Sequence, residues 1–287
     1  MKKRVTTLLL LALVTGYSSA YSQTKDSLVT IVDSIRPPKY PQFKLGVYYN
    51  TGLHYYGRVD SLKSSGFFPL GEVWFTKNIY INAAPVFVNN AVLTAEYAGT
   101  VATAGYLFND GKRWAGHIYF VKPFYRDNSE LVQAALKAQA AASLTVQNKI
   151  LNVTIGGDLK FSDRTDIGAM AGLDHLFRWP LKNRRVLVVD PSVYFHGGTQ
   201  QFTRSFYEKR TLLILPLGEE EINKRVEQFY FLSCEASMPI VYATGKWQFL
   251  ATPAYVIPQN VLNLETGDVK KHGDAFFYAT AGVRYNF

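Results

Sequence analysis

Five histidines, one cysteine and a scatter of serines are the side chains of this 287-residue chain that could act as base, ligand or nucleophile. No two of His54, His117, His175, His196 and His272 stand at zinc-ligand spacing. Cys234 is the lone cysteine, so neither an internal disulfide nor a cysteine metal site can form, and no metal or cofactor is expected. Gly-x-Ser-x-Gly, P-loop and dinucleotide motifs are all missing from the sequence. One arrangement has the residue types of a hydrolase. Ser192 and His196 are four residues apart on one face of a period-two segment, and His54 is expected on the same side near a rim. That face points away from bilayer lipid, so a lipid-modifying enzyme is the third reading and no catalytic residue is assigned.

More informative is a set of polar side chains at every second position. Lys44, His54, Lys137, Asp158, Lys160, Asp174, Arg178, Glu235 and Arg284 lie opposite the apolar face of their segments. Both signs of charge occur. Burying such groups without partners is costly, so they must pair with one another or meet water. The first reading makes them the lining of a small passive, porin-like pore for polar solutes. The alternative makes them the interior network of a non-conducting scaffold or partner-binding barrel of the cell envelope.

The elements that would position these residues are long alternating strands. In 43–57, Phe43, Leu45, Val47 and Tyr49 share one face, and Lys44, Gly46, Tyr48 and Asn50 share the other. The pattern recurs in about twelve segments, near 43–57, 65–76, 78–88, 91–108, 113–125, 132–147, 150–161, 165–178, 184–197, 228–242, 245–258 and 274–287. Segment 132–147 is rich in Ala, Leu and Gln, yet its apolar residues also alternate at period two, so it is read as a strand. Many segments reach ten residues, the length a tilted membrane strand needs and longer than most soluble strands. Short turns at 109–112, 147–149 and 243–244 follow even-numbered segments, and long connections near 198–227 and 259–273 follow odd-numbered ones. That parity fits short periplasmic turns and long extracellular loops. The expected fold is all-β: one antiparallel up-and-down transmembrane barrel of about twelve strands over 43–287.

Met1-Lys2-Lys3-Arg4, the apolar run Leu8–Val14 and the small residues Ser18, Ala20 and Ser22 predict a signal peptide over 1–20, cleaved after Ala20 or Ser22. Residues 23–42, with Pro37, Pro38 and Pro41, read as a periplasmic lead-in. The net charge is +9, but no basic block is long enough for a nucleic-acid site. The surplus suits a lipopolysaccharide-facing rim or a lumen.

The last strand alternates up to Tyr285 and Phe287. With the signal peptide and the strand pattern, this terminus resembles bacterial outer-membrane β-barrel proteins. The resemblance implies an outer-membrane location, membrane lipid and lipopolysaccharide as surroundings, and Tyr285 and Phe287 as the signal read by the barrel-assembly machinery.

Overall fold

The computed structural model describes residues 39–59, 64–92, 94–125, 136–199, 228–262 and 269–287. The expected signal peptide, the lead-in up to residue 38 and the connection 200–227 lie outside these residues, as do 132–135 of the Ala-rich segment.

The described residues form β1 (Gln42–Asn50), β2 (His54–Tyr55), β3 (Arg58–Val59), β4 (Ser65–Trp74), β5 (Ile79–Asn89), β6 (Glu96–Asn109), β7 (Trp114–Tyr125), β8 (Ala138–Val146) and β9 (Asn152–Phe161). They continue with β10 (Thr165–Asp174), β11 (Phe177–Leu181), β12 (Arg185–Val189), β13 (Ser192–Gly198), β14 (Tyr230–Ser237), β15 (Ile240–Thr244), β16 (Trp247–Leu262), β17 (Val269–His272) and β18 (Phe276–Asn286).

Twelve of these make a closed antiparallel ring in the order β1-β4-β5-β6-β7-β8-β9-β10-β13-β14-β16-β18, with β18 returning to β1. Closure matters because hydrocarbon offers backbone N–H and C=O groups no partner, and a ring has no open edge. Side chains then sort by parity. Leu45 is 56% exposed on the outside, whereas Lys44 is 2% exposed on the inside. Phe43, Ile81, Ile118, Ile155, Ile167 and Phe249 continue the outer apolar belt. An apolar exterior around a polar interior is the inverse of a soluble barrel and suits a lipid surround.

Three short pieces extend staves of the ring. β11 follows β10 after His175-Leu176, β12 precedes β13 across Asp190-Pro191, and β15 follows β14 across Met238-Pro239. They pair with one another and with the start of β16. Pro191 and Pro239 bring no N–H to the ladder, which accounts for two of the breaks.

Two expected segments end differently. The first stave stops at Asn50 rather than near residue 57; beyond it the chain leaves the wall and makes the small β2–β3 hairpin. The connection near 259–273 is partly strand, because β16 runs to Leu262 and pairs with β17. Five short connections, 75–78, 110–113, 147–151, 182–184 and 245–246, gather at the rim that also holds Gln42 and Asn286. In barrels of this kind that rim faces the periplasm, and the two rims are named accordingly below.

Candidate functional site

Twelve staves ~4.8 Å apart and tilted by ~40° enclose a cylinder roughly 24 Å across between opposite backbones. A lysine and a tyrosine on opposite walls cannot meet over that span. Yet Lys160 of β9 donates a hydrogen bond to the Tyr56 hydroxyl at 3.0 Å, and its ammonium lies 5.3 Å from the Tyr56 ring centroid. They meet because residues 51–59, which follow β1, fold into the bore toward the opposite wall.

Local chemistry explains how the segment turns. Asn50 Oδ1 accepts the Gly52 N–H at 2.8 Å, which bends the chain as it leaves β1. At the hairpin tip Tyr56 and Gly57 have φ of 47° and 80°, the pair of left-handed residues that a type I′ turn requires. Glycine takes that conformation without cost, whereas a bulky aromatic does so only where its surroundings hold it. Tyr56 is so held: its ring lies 5.3 Å from that of His196, and its hydroxyl takes the Lys160 ammonium. Gly57 sits against β16, and a Cβ there would come within 2.9 Å of the Pro258 side chain. His54 Nδ1 accepts the Gly57 N–H at 3.1 Å, which puts the proton of the neutral ring on Nε2. The His54 ring packs 4.5 Å from Tyr278 and 5.3 Å from Phe276.

The ring of staves around this loop has two unlike walls. Around the loop, on the halves of β4 through β7 nearer the outer rim, the interior is mostly apolar, with Phe68, Leu70, Val86, Val88, Val101 and Val121 packed with Leu53 and Tyr56. The other wall is polar and its groups are mutually bonded. Asp158 pairs with Lys160 and accepts from Gln139 Nε2 at 3.2 Å. Asp166 accepts from Thr199 Oγ1 at 2.6 Å. Glu235 accepts the Tyr278 hydroxyl at 2.8 Å. Toward the periplasm Asp174 accepts from Asn152 Nδ2 at 2.7 Å. Lower still, Arg284 donates from one terminal nitrogen to Glu72 at 3.0 Å and from Nε to Gln248 at 2.9 Å. Lys44 lies 4.7 Å from the Trp74 ring centroid, and Trp74 stacks on Tyr80, whose hydroxyl is 2.8 Å from His117 Nε2.

Of the polar set expected inside, Lys44, His54, Asp158, Lys160, Asp174, Glu235 and Arg284 have inward positions. Lys137 and Arg178 do not. Lys137 precedes β8, where the alternation has not yet begun; it stands exposed at the outer rim and pairs with Asp163 at 3.0 Å. Arg178 keeps inward parity, but β11 runs past the start of β9, so its whole length is exposed. Ser192 does not pair with His196, since its Oγ lies 2.9 Å from Ser237 Oγ. The residue directly opposite His196 in the ladder is Ser233, whose buried Oγ has no hydrogen-bond partner among the described residues. Sequence spacing within one strand could not reveal that cross-strand pair. Tyr285 and Phe287 lie at the periplasmic rim, where Tyr285 contacts both Trp247 and Phe287 edge to face. Among the described residues no group of three or more His, Cys, Asp or Glu could hold a metal ion.

No protein-family model matches the chain, and no curated protein does. Solved structures that align with it include a KdgM porin, 10% identical, covering 85% of this chain and 99% of that one with a TM-score of 0.48. A NanC porin is 8% identical over 85% of this chain and 98% of its own, with a TM-score of 0.42. LpxR from Salmonella typhimurium is 7% identical over 84% and 99%, with a TM-score of 0.44. By its own closed ring, apolar belt and polar interior, the chain is an outer-membrane β-barrel.

Proposed function

We propose that the barrel is a narrow channel for small polar solutes, with its bore set by the inward loop 51–59. The observation that carries this reading is the polar wall, which follows the barrel from Asp166 and Lys160 near the outer rim to Gln248 and Arg284 near the periplasm. A barrel that needed only to be filled would gain more from apolar packing on all sides, because buried ion pairs rarely repay their desolvation. A paired but continuous polar track is what a hydrated path requires. The segment beside it, tethered by Tyr56 to Lys160, narrows the bore to solutes far smaller than the backbone diameter would admit.

A second reading has its own observation. Val86, Val88, Phe68 and Leu70 are at most 2% exposed, so the apolar wall is packed and the loop fills its half of the bore. A barrel shut in this way serves as a scaffold or partner-binding element. Planar-bilayer recording of the refolded protein separates the two. Discrete conductance steps support the channel. No steps at any voltage, either in the native protein or after Tyr56→Ala, would sink it.

A further inference from the structure

The periplasmic rim is a ring of cations. Each of its five short connections carries Lys or Arg at its tip or its end: Lys77, Lys112 with Arg113, Lys149, Lys182 with Arg184 and Arg185, and Lys246. All are exposed, and among the described residues none of them makes an ion pair. The one acid in these connections is Asp110, and its Oδ1 is taken up by the turn itself, accepting N–H groups of Lys112, Arg113 and Trp114 at 2.8, 2.8 and 3.0 Å.

Directly beside the cations, on the outward face, stand three of the four tryptophans. Trp114, Trp179 and Trp247 are 40%, 45% and 48% exposed. The Arg113 guanidinium lies 5.9 Å from the Trp114 ring centroid, and Lys246 Nζ lies 5.5 Å from that of Tyr285. Trp179 stacks on Phe177 with 9° between the rings. Tryptophan at the end of an apolar belt marks the level where acyl chains give way to head groups. The unpaired cations therefore sit at the depth of lipid phosphates.

We infer that the periplasmic rim binds anionic phospholipid head groups of the inner leaflet, with the hairpin tip formed by Lys182, Arg184 and Arg185 as its strongest contact. The partner is a lipid surface because the cations are continuous with the lipid-facing belt. A soluble acidic partner would not need them ranged around the whole circumference beneath the tryptophans. β11 and β12 extend this surface past the neighbouring turn at 147–151, and the tip stands beside Lys246 of the next hairpin, so four cations gather there.

The tryptophans supply the probe. The full chain is refolded into mixed vesicles of phosphatidylcholine and phosphatidylglycerol, with one lipid brominated at a time, and quenching of tryptophan fluorescence gives their relative affinity. Anionic lipid should be preferred severalfold, at about fivefold per engaged cation at low salt, with the preference falling as salt rises. Replacing Lys182, Arg184 and Arg185 together by Gln should lower the preference severalfold, with the remainder carried by the other rim cations, and Lys137→Gln at the opposite rim should leave it unchanged. Relative affinity near one in the native protein overturns the inference, as does a preference that the triple change leaves undiminished. Erasure of the preference by inorganic phosphate, but not by chloride of equal ionic strength, would assign the cations to free phosphate. Retention on peptidoglycan sacculi that depends on the same three cations, with no lipid preference, would also overturn it.

Discussion

The Tyr56 hydroxyl and the Lys160 ammonium meet at 3.0 Å, although they come from opposite sides of the barrel. Lys160 lies on β9, six places round the ring from the β1 stave that Tyr56 follows. A contact between groups half a circumference apart fixes the inserted loop as no contact with a neighbouring stave could. Tyr56→Phe keeps the ring and removes the acceptor. A hydrogen bond to a charged group is worth about 1.5–3 kcal/mol, so the loop of this variant should leave its seat more often. Single-channel records should show larger or noisier steps, with the unfolding midpoint in urea only slightly lowered.

Gly57 tests the same loop through its backbone. Its φ of 80°, and the 2.9 Å approach that an added Cβ would make to Pro258, leave no room for a side chain. Gly57→Ala should displace the hairpin tip from β16 while leaving the twelve staves intact. Protease cleavage within 51–63 should appear in the folded variant and be absent from the native protein. Equal resistance of the two would show that the loop is not seated by this glycine.

Much of the barrel was legible in the sequence because period two is enforced at every stave by lipid outside and polar groups inside. That constraint marks out the twelve segments and the parity of turns and loops. It failed where the chain leaves the wall. Leu53 and His54 continue the alternation of β1, so the segment reads as strand, yet both are buried within the bore where no face meets lipid. Lys137 and Arg178 fit the parity but stand at the ends of the wall: Lys137 precedes β8, and β11, paired with β12, runs past the start of β9 on its other side. The breaks at 190–191 and 238–239 had a visible signal in Pro191 and Pro239. Pairs such as Tyr56 with Lys160, or His196 with Ser233, depend on ring closure and register, which no local pattern encodes.

The periplasmic end of the interior rests on Arg284. Its partner Glu72 has a fully buried side chain, and Gln248 accepts from the same guanidinium. Removing one member of a buried ion pair typically costs about 3–5 kcal/mol. Arg284→Ala should lower the urea midpoint and the temperature at which the folded band converts to the unfolded one in SDS gels. Pairing it with Glu72→Gln should recover part of the loss, since no uncompensated carboxylate then remains.

Phe287 is 60% exposed, and its N–H bonds the Phe43 carbonyl at 2.9 Å through backbone alone. Its mostly exposed side chain adds the edge-to-face contact with Tyr285 and no hydrogen bond. If it serves as the assembly signal, Phe287→Ala should sharply reduce the amount of protein in the outer membrane of expressing cells, while refolding into detergent in vitro proceeds as in the native chain. A parallel loss in both assays would assign the residue to stability instead.

Asp110 gives the periplasmic turn a pH dependence. Backbone N–H groups of Lys112, Trp114 and Arg113 hold its carboxyl below the ordinary carboxylate range. The contribution of these bonds is complete above the unfolded-chain value and is lost as pH falls through the lower, folded one. Amide exchange at Lys112 and Arg113 should therefore remain slow, relative to the intrinsic rate at each pH, down through mildly acidic solution. It should quicken only in strong acid, and Asp110→Ala should remove the protection at every pH.

The most direct test of the channel is conductance of the refolded barrel in planar bilayers, measured for the native chain and for Tyr56→Ala side by side. A conducting barrel gives small discrete steps in the native protein and larger steps once the tether to Lys160 is gone. Silence from both, in bilayers where a known porin inserts and conducts, would contradict it.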